Sequence, residues 1–392
     1  MDAVRFRRIF TISVFLLVIG GLSVLNCIVP KSDMLEFERR RPASMPELTL
    51  EGIINTEFMN GFGKYATDNF VFRDALRTTR SFTVFHILMQ TDKSGLYYDK
   101  NVGGGKYDIV EVDQYGRSAT NIAKMAAEFA EAAEEGGAAS ENIRYYYSLV
   151  PDKSIYAGKY MPGFDPELAH GILAEKLDDR MTFIDIAGIL TAGNYYRTDL
   201  HWNQSTIMSV VDILGIAMDF SERMEKDFTP NIAGDFHGVY TGQLALPLKP
   251  DSMVYMTSPA INGAEVRYLN AQTLNWTRGN MYEPQMVRGR DPYDIFLRGV
   301  QALITIDNPS AATERELFIF RDSFSSSLAP LLTSAYRKIT LIDLRYIMNK
   351  FLLSPVDAEG TMLIDFSAIM EADVLFLYSS QILNNSETLL IH

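Results

Sequence analysis

Residues 9–29 form a run of 21 without a charge, and Arg5, Arg7 and Arg8 stand just before it. A helix needs about 20 consecutive apolar residues to cross a bilayer core. The apolar part of a cleavable signal is shorter, and no small-x-small cleavage pattern follows this run. Asn26, before Cys27, is too bulky for lipoprotein processing. The run therefore predicts an uncleaved single-pass membrane anchor. Residues 1–8 are expected as a cytoplasmic tail by the positive-inside rule, 9–29 as the anchor, and the chain after it as extracytoplasmic. Whatever follows must fold outside the cell membrane without a disulfide, because Cys27 is the one cysteine.

Composition narrows the function classes. The formal net charge of -13 excludes nucleic acid as a partner, since a phosphate backbone calls for a basic footprint. A chain that is 47% hydrophobic and 22% charged is globular. It carries no CxxC, HExxH or Cys/His cluster, so neither a metal site nor a cofactor is expected.

Residues 30–95 read as a proline-containing spacer followed by a helical arm, with Ile53, Phe58, Phe62 and Tyr65 recurring at near-helical spacing. Gly103, Gly104 and Gly105 read as a loop. Over residues 96–392, helices and short apolar strands alternate. Helices are expected from Ser118 or Thr120 to Glu135, over 165–179, from Ser205, over 325–334 and over 344–352. Strands are expected over 143–150, 302–306, 317–320, 338–342 and 374–377. Residues 219–309 interrupt the alternation and read as an insertion, with β-like runs over 238–244, 253–257 and 265–269. Helices between apolar strands predict an α/β domain with a mostly parallel sheet covered on both faces. Its site is expected at the carboxyl ends of the strands.

Two stretches carry chemistry. Asp199 and His201 lie two residues apart before a helix, and Ser323 follows an apolar strand. A serine hydroxyl becomes a nucleophile when a base takes its proton and a carboxylate orients that base. The candidate triad is Ser323, His201 and Asp199. Asp-x-His is ordinarily a surface loop, and Asp-Ser after a strand is ordinarily a helix cap. Of the five histidines, His86, His170 and His392 lie in the arm, a polar helix and the terminus. His237, in the pair Asp235–His237, is the rival base. Trp202 is a candidate substrate platform or packing residue, and Asp322 and Arg345 are weaker candidates for the oxyanion or substrate site.

Asp199-Leu200-His201-Trp202 with Arg321-Asp322-Ser323-Phe324-Ser325 resembles the DHHW family of bacterial envelope proteins, related to SGNH-hydrolase-like alginate O-acetylation proteins. Further matching segments begin at Asp68, Val150, Tyr293 and Ile342. The resemblance implies a three-layer α/β/α SGNH-hydrolase-like domain and a Ser-His-Asp triad. It also implies O-acetyl transfer to, or removal from, a cell-envelope polysaccharide beside a membrane-bound O-acyltransferase. A non-catalytic glycan-binding or scaffold partner is the alternative. Leu200 stands where the family has His, and Arg321 where glycine precedes Asp-Ser. Arg298-Gly299-Val300 stands where relatives carry Gly-Asn.

Overall fold

The computed structural model describes residues 3–158, 163–177, 179–356 and 360–389. Met1, Asp2, Asp178 and His392 lie outside them. The chain divides into one unit of residues 1–93 and 239–248, and a second of residues 94–238 and 249–392.

The first unit opens with helix Ala3–Ile28, whose segment Val4–Ile28 is long and apolar enough to cross a membrane and is exposed over most of its length, with Leu22, Leu25 and Asn26 half-buried. The end of this helix is tied to the arm. Val71 N–H donates to Asn26 Oδ1 at 3.1 Å, and Lys31 Nζ joins the Asn26 carbonyl at 2.6 Å to the Asn69 carbonyl at 2.9 Å. Arm helices Glu57–Asp68 and Arg73–Phe82 meet the spacer through ion pairs. Arg40 grips Asp68 with two bonds of 2.6 and 2.7 Å, and Arg73 and Arg77 each reach Glu38 at 2.6 Å. Arg40 beside it holds the Asp68 carboxyl down to about 2. The run expected as β-like over 238–244 is instead helix Val239–Leu244. It approaches the spacer so closely that a β-carbon on Gly242 would overlap the Phe37 carbonyl. The unit ends with the two-residue strand β1 (Asp92–Lys93).

The second unit contains β2 (Leu96–Asp99), β3 (Gly103–Lys106), β4 (Ile143–Val150), β5 (Met181–Phe183), β6 (Thr229–Phe236), β7 (Asp251–Thr257), β8 (Glu265–Leu269), β9 (Trp276–Gly279), β10 (Leu303–Asp307), β11 (Glu316–Arg321), β12 (Lys338–Ile342) and β13 (Ala372–Ser379). Eight of them form one sheet in the order β5-β4-β13-β11-β12-β10-β8-β9. The first five run parallel, and β10, β8 and β9 extend the edge antiparallel. Alternate side chains of β11 enter opposite cores. Leu317 and Ile319 pack with Val210, Val211 and Leu214 of helix Met208–Ala217. Phe318 and Phe320 pack with Ile122, Met125 and Phe129 of helix Val112–Glu135. Helices thus cover both faces, as the alternation predicts. A separate ribbon pairs β6 with β7.

Local differences from the sequence reading have tertiary causes. Helix Val112–Glu135 begins before Ser118, because the Asn384 side chain accepts the Glu111 N–H at 2.8 Å. Ser118 is buried within it and donates to the Leu383 carbonyl. The three glycines read as a loop form β3, paired with β2. Two of them have no room for a side chain: the Tyr97 ring lies over Gly105, and the Arg197 backbone lies against Gly103, whose φ is 87°. The helix after Ser323 stops at Leu328 and continues as a 3-10 segment, Ala329–Ala335, where Pro330 has no N–H for an α-helical bond. The helix expected over 344–352 is confined to Asn349–Leu353, starting five residues later and ending one residue beyond.

Candidate active site

β11 delivers Ser323 to the carboxyl edge of the sheet. Its neighbour Asp322 is buried and accepts two backbone N–H groups, Phe324 at 3.0 Å and Ser379 at 2.7 Å. One bond caps the following helix and the other ties the turn to the end of β13. With Asp322 acting as the cap, Ser323 makes no side-chain cap bond. Its Oγ lies instead 2.7 Å from His201 Nε2.

His201 and Asp199 sit on a tight loop closed by an antiparallel bridge between Tyr195 and Trp202, with Tyr196 N–H donating to the His201 carbonyl at 3.0 Å. Asp199 Oδ1 lies 2.7 Å from His201 Nδ1 and also accepts the His201 backbone N–H. A carboxylate only accepts, so Nδ1 carries the proton and Nε2 presents its lone pair to the serine hydroxyl. Both Asp199 and His201 are buried, while Ser323 is half-buried. The Tyr293 ring stacks on the imidazole at 3.8 Å and 10°, and its hydroxyl donates to Ser327 Oγ at 2.8 Å. The imidazole plane is therefore fixed on a face as well as at both nitrogens.

Three features hold the loop beneath this pair. Lys153, fully buried just after β4, directs its ammonium at the carbonyls of Asp199 (2.7 Å), Tyr196 (2.9 Å) and Arg197 (3.4 Å). Burial pushes its pKa down to about 8, against the pull of Asp152, Asp199 and Asp251. Asp251 accepts the N–H groups of Arg197 and Thr198 and the Thr198 hydroxyl. Gly238 passes so close that a β-carbon would stand 2.2 Å from the Thr198 carbonyl oxygen and 2.5 Å from Asp199 Cβ.

The other named residues have different placements. Trp202 is fully enclosed and donates from Nε1 to the Phe324 carbonyl and Ser327 Oγ, which locks the base loop to the serine helix. Arg345 bonds Asp343 at 2.8 and 2.6 Å, one strand over from the triad. His237, the rival base, follows β6. At the departures from the family pattern, the buried Arg321 reaches the Gln301 carbonyl, just after 298–300, at 3.3 Å and Ser326 Oγ at 2.8 Å. Leu297, Arg298 and Gly299 all have positive φ, and a β-carbon on Gly299 would collide with Asp294. Asp251, Gly238 and Lys153 were not readable as site residues. A lysine after Pro151 looks like a loop charge, and the others lie tens of residues from Asp199. The segments containing Lys153 and Tyr293 entered only through the family resemblance.

No family model matches the chain, and no curated protein matches it. Solved structures do. PatB1 of Bacillus cereus superposes with TM-score 0.57 at 16% identity, over 76% of this chain and 99% of that one. The same protein with a sulfonyl adduct gives 0.56 at 17%, over 74% and 95%. A DHHW family protein from Eubacterium siraeum gives 0.55 at 17%, over 76% and 93%. At these identities the likeness is one of fold: this chain has the α/β fold of a DHHW family protein and of PatB1.

Proposed function

We propose that the protein is a membrane-anchored, extracytoplasmic serine acyltransferase or esterase acting on O-acetyl groups of a cell-envelope polysaccharide. The observation that carries this reading is the continuous chain from Asp199 through His201 to Ser323, with both links at 2.7 Å. In the reaction, Ser323 Oγ attacks the acyl carbonyl as its proton passes to His201 Nε2. Asp199 steadies the imidazolium. The tetrahedral adduct collapses, and the departing alcohol takes the proton from His201. A sugar hydroxyl or water then gives up its proton to His201 and attacks the acyl-serine, which regenerates Ser323. Among the described residues the Ser323 N–H makes no backbone hydrogen bond, and it is the proposed donor to the developing oxyanion.

The location rests on helix Ala3–Ile28 and on its bonds through Asn26 and Lys31 to the arm, which a cleaved leader would not need. A membrane-bound O-acyltransferase is the proposed supplier of acyl groups, since the apolar helix Ala3–Ile28 would hold this chain in the same membrane. In the domain division we adopt, residues 96–392 are the catalytic domain, 219–309 its insertion and 30–95 the arm.

The test uses the full chain in detergent micelles with 4-nitrophenyl acetate, and envelope polysaccharide from cells with and without the protein. Ester turnover and a changed O-acetyl content are expected. Turnover no higher than that of Ser323→Ala, with unchanged O-acetyl content, overturns the reading.

A further inference from the structure

An open cleft of about 650 Å³ lies one strand over from the nucleophile. β11 and β12 run parallel with Phe320 opposite Ile342. Ser323 and Arg345 each follow a paired position by three residues, so they leave the same edge of the sheet on strands about 4.8 Å apart. β8 runs in the same direction as β12, because both are antiparallel to β10. Its C-terminal turn, with Leu274, therefore reaches the same edge and forms one wall of the cleft. Arg345, Tyr346 and Met348 form another wall, and Glu387 and Thr388 a third. Ligands of open parallel sheets bind at this edge.

We infer that the cleft is a subsite for a neutral saccharide chain whose hydroxyl or O-acetyl group is presented to Ser323, an inference that rests on the function proposed above. A sugar ring offers an apolar C–H face and a rim of hydroxyls. Tyr346 is 44% exposed and supplies a flat aromatic face, with Met348 at 37% beside it. Arg345 is fixed before any ligand arrives. Two of its donors are spent on Asp343, its guanidinium stands 5.3 Å from the Tyr346 ring centroid, and its remaining N–H groups have no protein partner among the described residues. Glu387 is exposed and accepts from hydroxyls. The charge balance selects a neutral chain: Asp343 neutralises Arg345, Glu387 remains negative, and the protein as a whole carries -13.

Calorimetric titration of the full chain in micelles, in a Ser323→Ala background, separates this inference from the chemistry. The probes are chitopentaose, cellopentaose and a penta-uronate. At least one neutral pentasaccharide is expected to bind. Tyr346→Ala should weaken it about tenfold, the loss of one ring contact, while Tyr346→Phe stays within about twofold. Glu387→Gln should weaken it about fivefold. Binding of neither neutral probe, equal affinity in Tyr346→Ala, or preference for the uronate overturns the subsite. Because affinity is read without turnover, a failed serine mechanism shows as inactive wild-type protein with binding intact.

Discussion

Ser323→Ala should lower turnover of a small acetyl ester by roughly 10³- to 10⁶-fold while leaving the thermal midpoint nearly unchanged. Among the described residues the half-buried hydroxyl makes no cap bond and hydrogen-bonds the side chain of His201 alone. Its removal therefore abolishes the nucleophile without opening a core cavity. Asp199→Asn should be nearly as damaging, at about 10⁴-fold, for a different reason. An amide turned with its NH2 toward Nδ1 makes that nitrogen the acceptor. The proton then sits on Nε2, and the ring can no longer take one from serine. Because the residues act as a unit, the double variant should be no worse than Ser323→Ala alone. Rates are read at saturating and limiting ester. Multiplicative losses in the double variant would show that the two residues act separately.

Lys153→Met should cut ester turnover about a hundredfold, chiefly in kcat, because the loop carrying Asp199 and His201 shifts by a fraction of an ångström to an ångström. The Tyr196 and Asp199 carbonyls lose the lysine as donor, whereas the Arg197 carbonyl keeps the Gly104 N–H at 2.9 Å, and unsatisfied buried groups cost about 1–3 kcal/mol each. The same change removes a charge held in a dry interior, which offsets much of that loss. Global stability should therefore move far less than rate. The pH dependence has two opposite signs. The lysine's ordinary value is 10.5 and burial lowers it to about 8. The folded state thus binds fewer protons than the unfolded chain between about pH 8 and 10.5, and this group's contribution to stability rises with pH across that window. Activity should fall across the same window, since a neutral amine has two donors for three carbonyls. A falling limb of kcat/KM near pH 8 in the wild type, absent from the residual activity of Lys153→Met, checks this. A hundredfold loss accompanied by a collapsed thermal midpoint would make Lys153 a fold residue rather than a positioning residue.

Much of this architecture was legible along the chain. The strands over 143–150 and 338–342 match β4 and β12 residue for residue, because runs buried on both faces of a parallel sheet are continuous in hydrophobicity. The contacts of Asp199, His201 and Ser323, which we propose as a triad, were legible because the two parts each sit on a local signal: a paired acid and imidazole before a helix, and a serine after a strand. The supports were not. β3 is built from three glycines, whose strand conformation depends on Tyr97 and the Arg197 backbone. Helix Val112–Glu135 is capped by Asn384, more than 250 residues away. Asp251 belongs to a different strand from anything it holds, and Trp202, readable as a platform, became a buried strut once its indole found Phe324 and Ser327. Local pattern points to the proposed reacting groups, whereas long-range contacts hold the segments that carry them.

The claim that unites these observations is that Ser323 is a nucleophile activated by His201. Treating the full chain with a sulfonyl fluoride and mapping the adduct by peptide mass tests it most directly. The account predicts one sulfonyl group, on Ser323, formed quickly in the wild type and not in His201→Ala. A chain left unmodified, or labelled equally in both proteins, would contradict it.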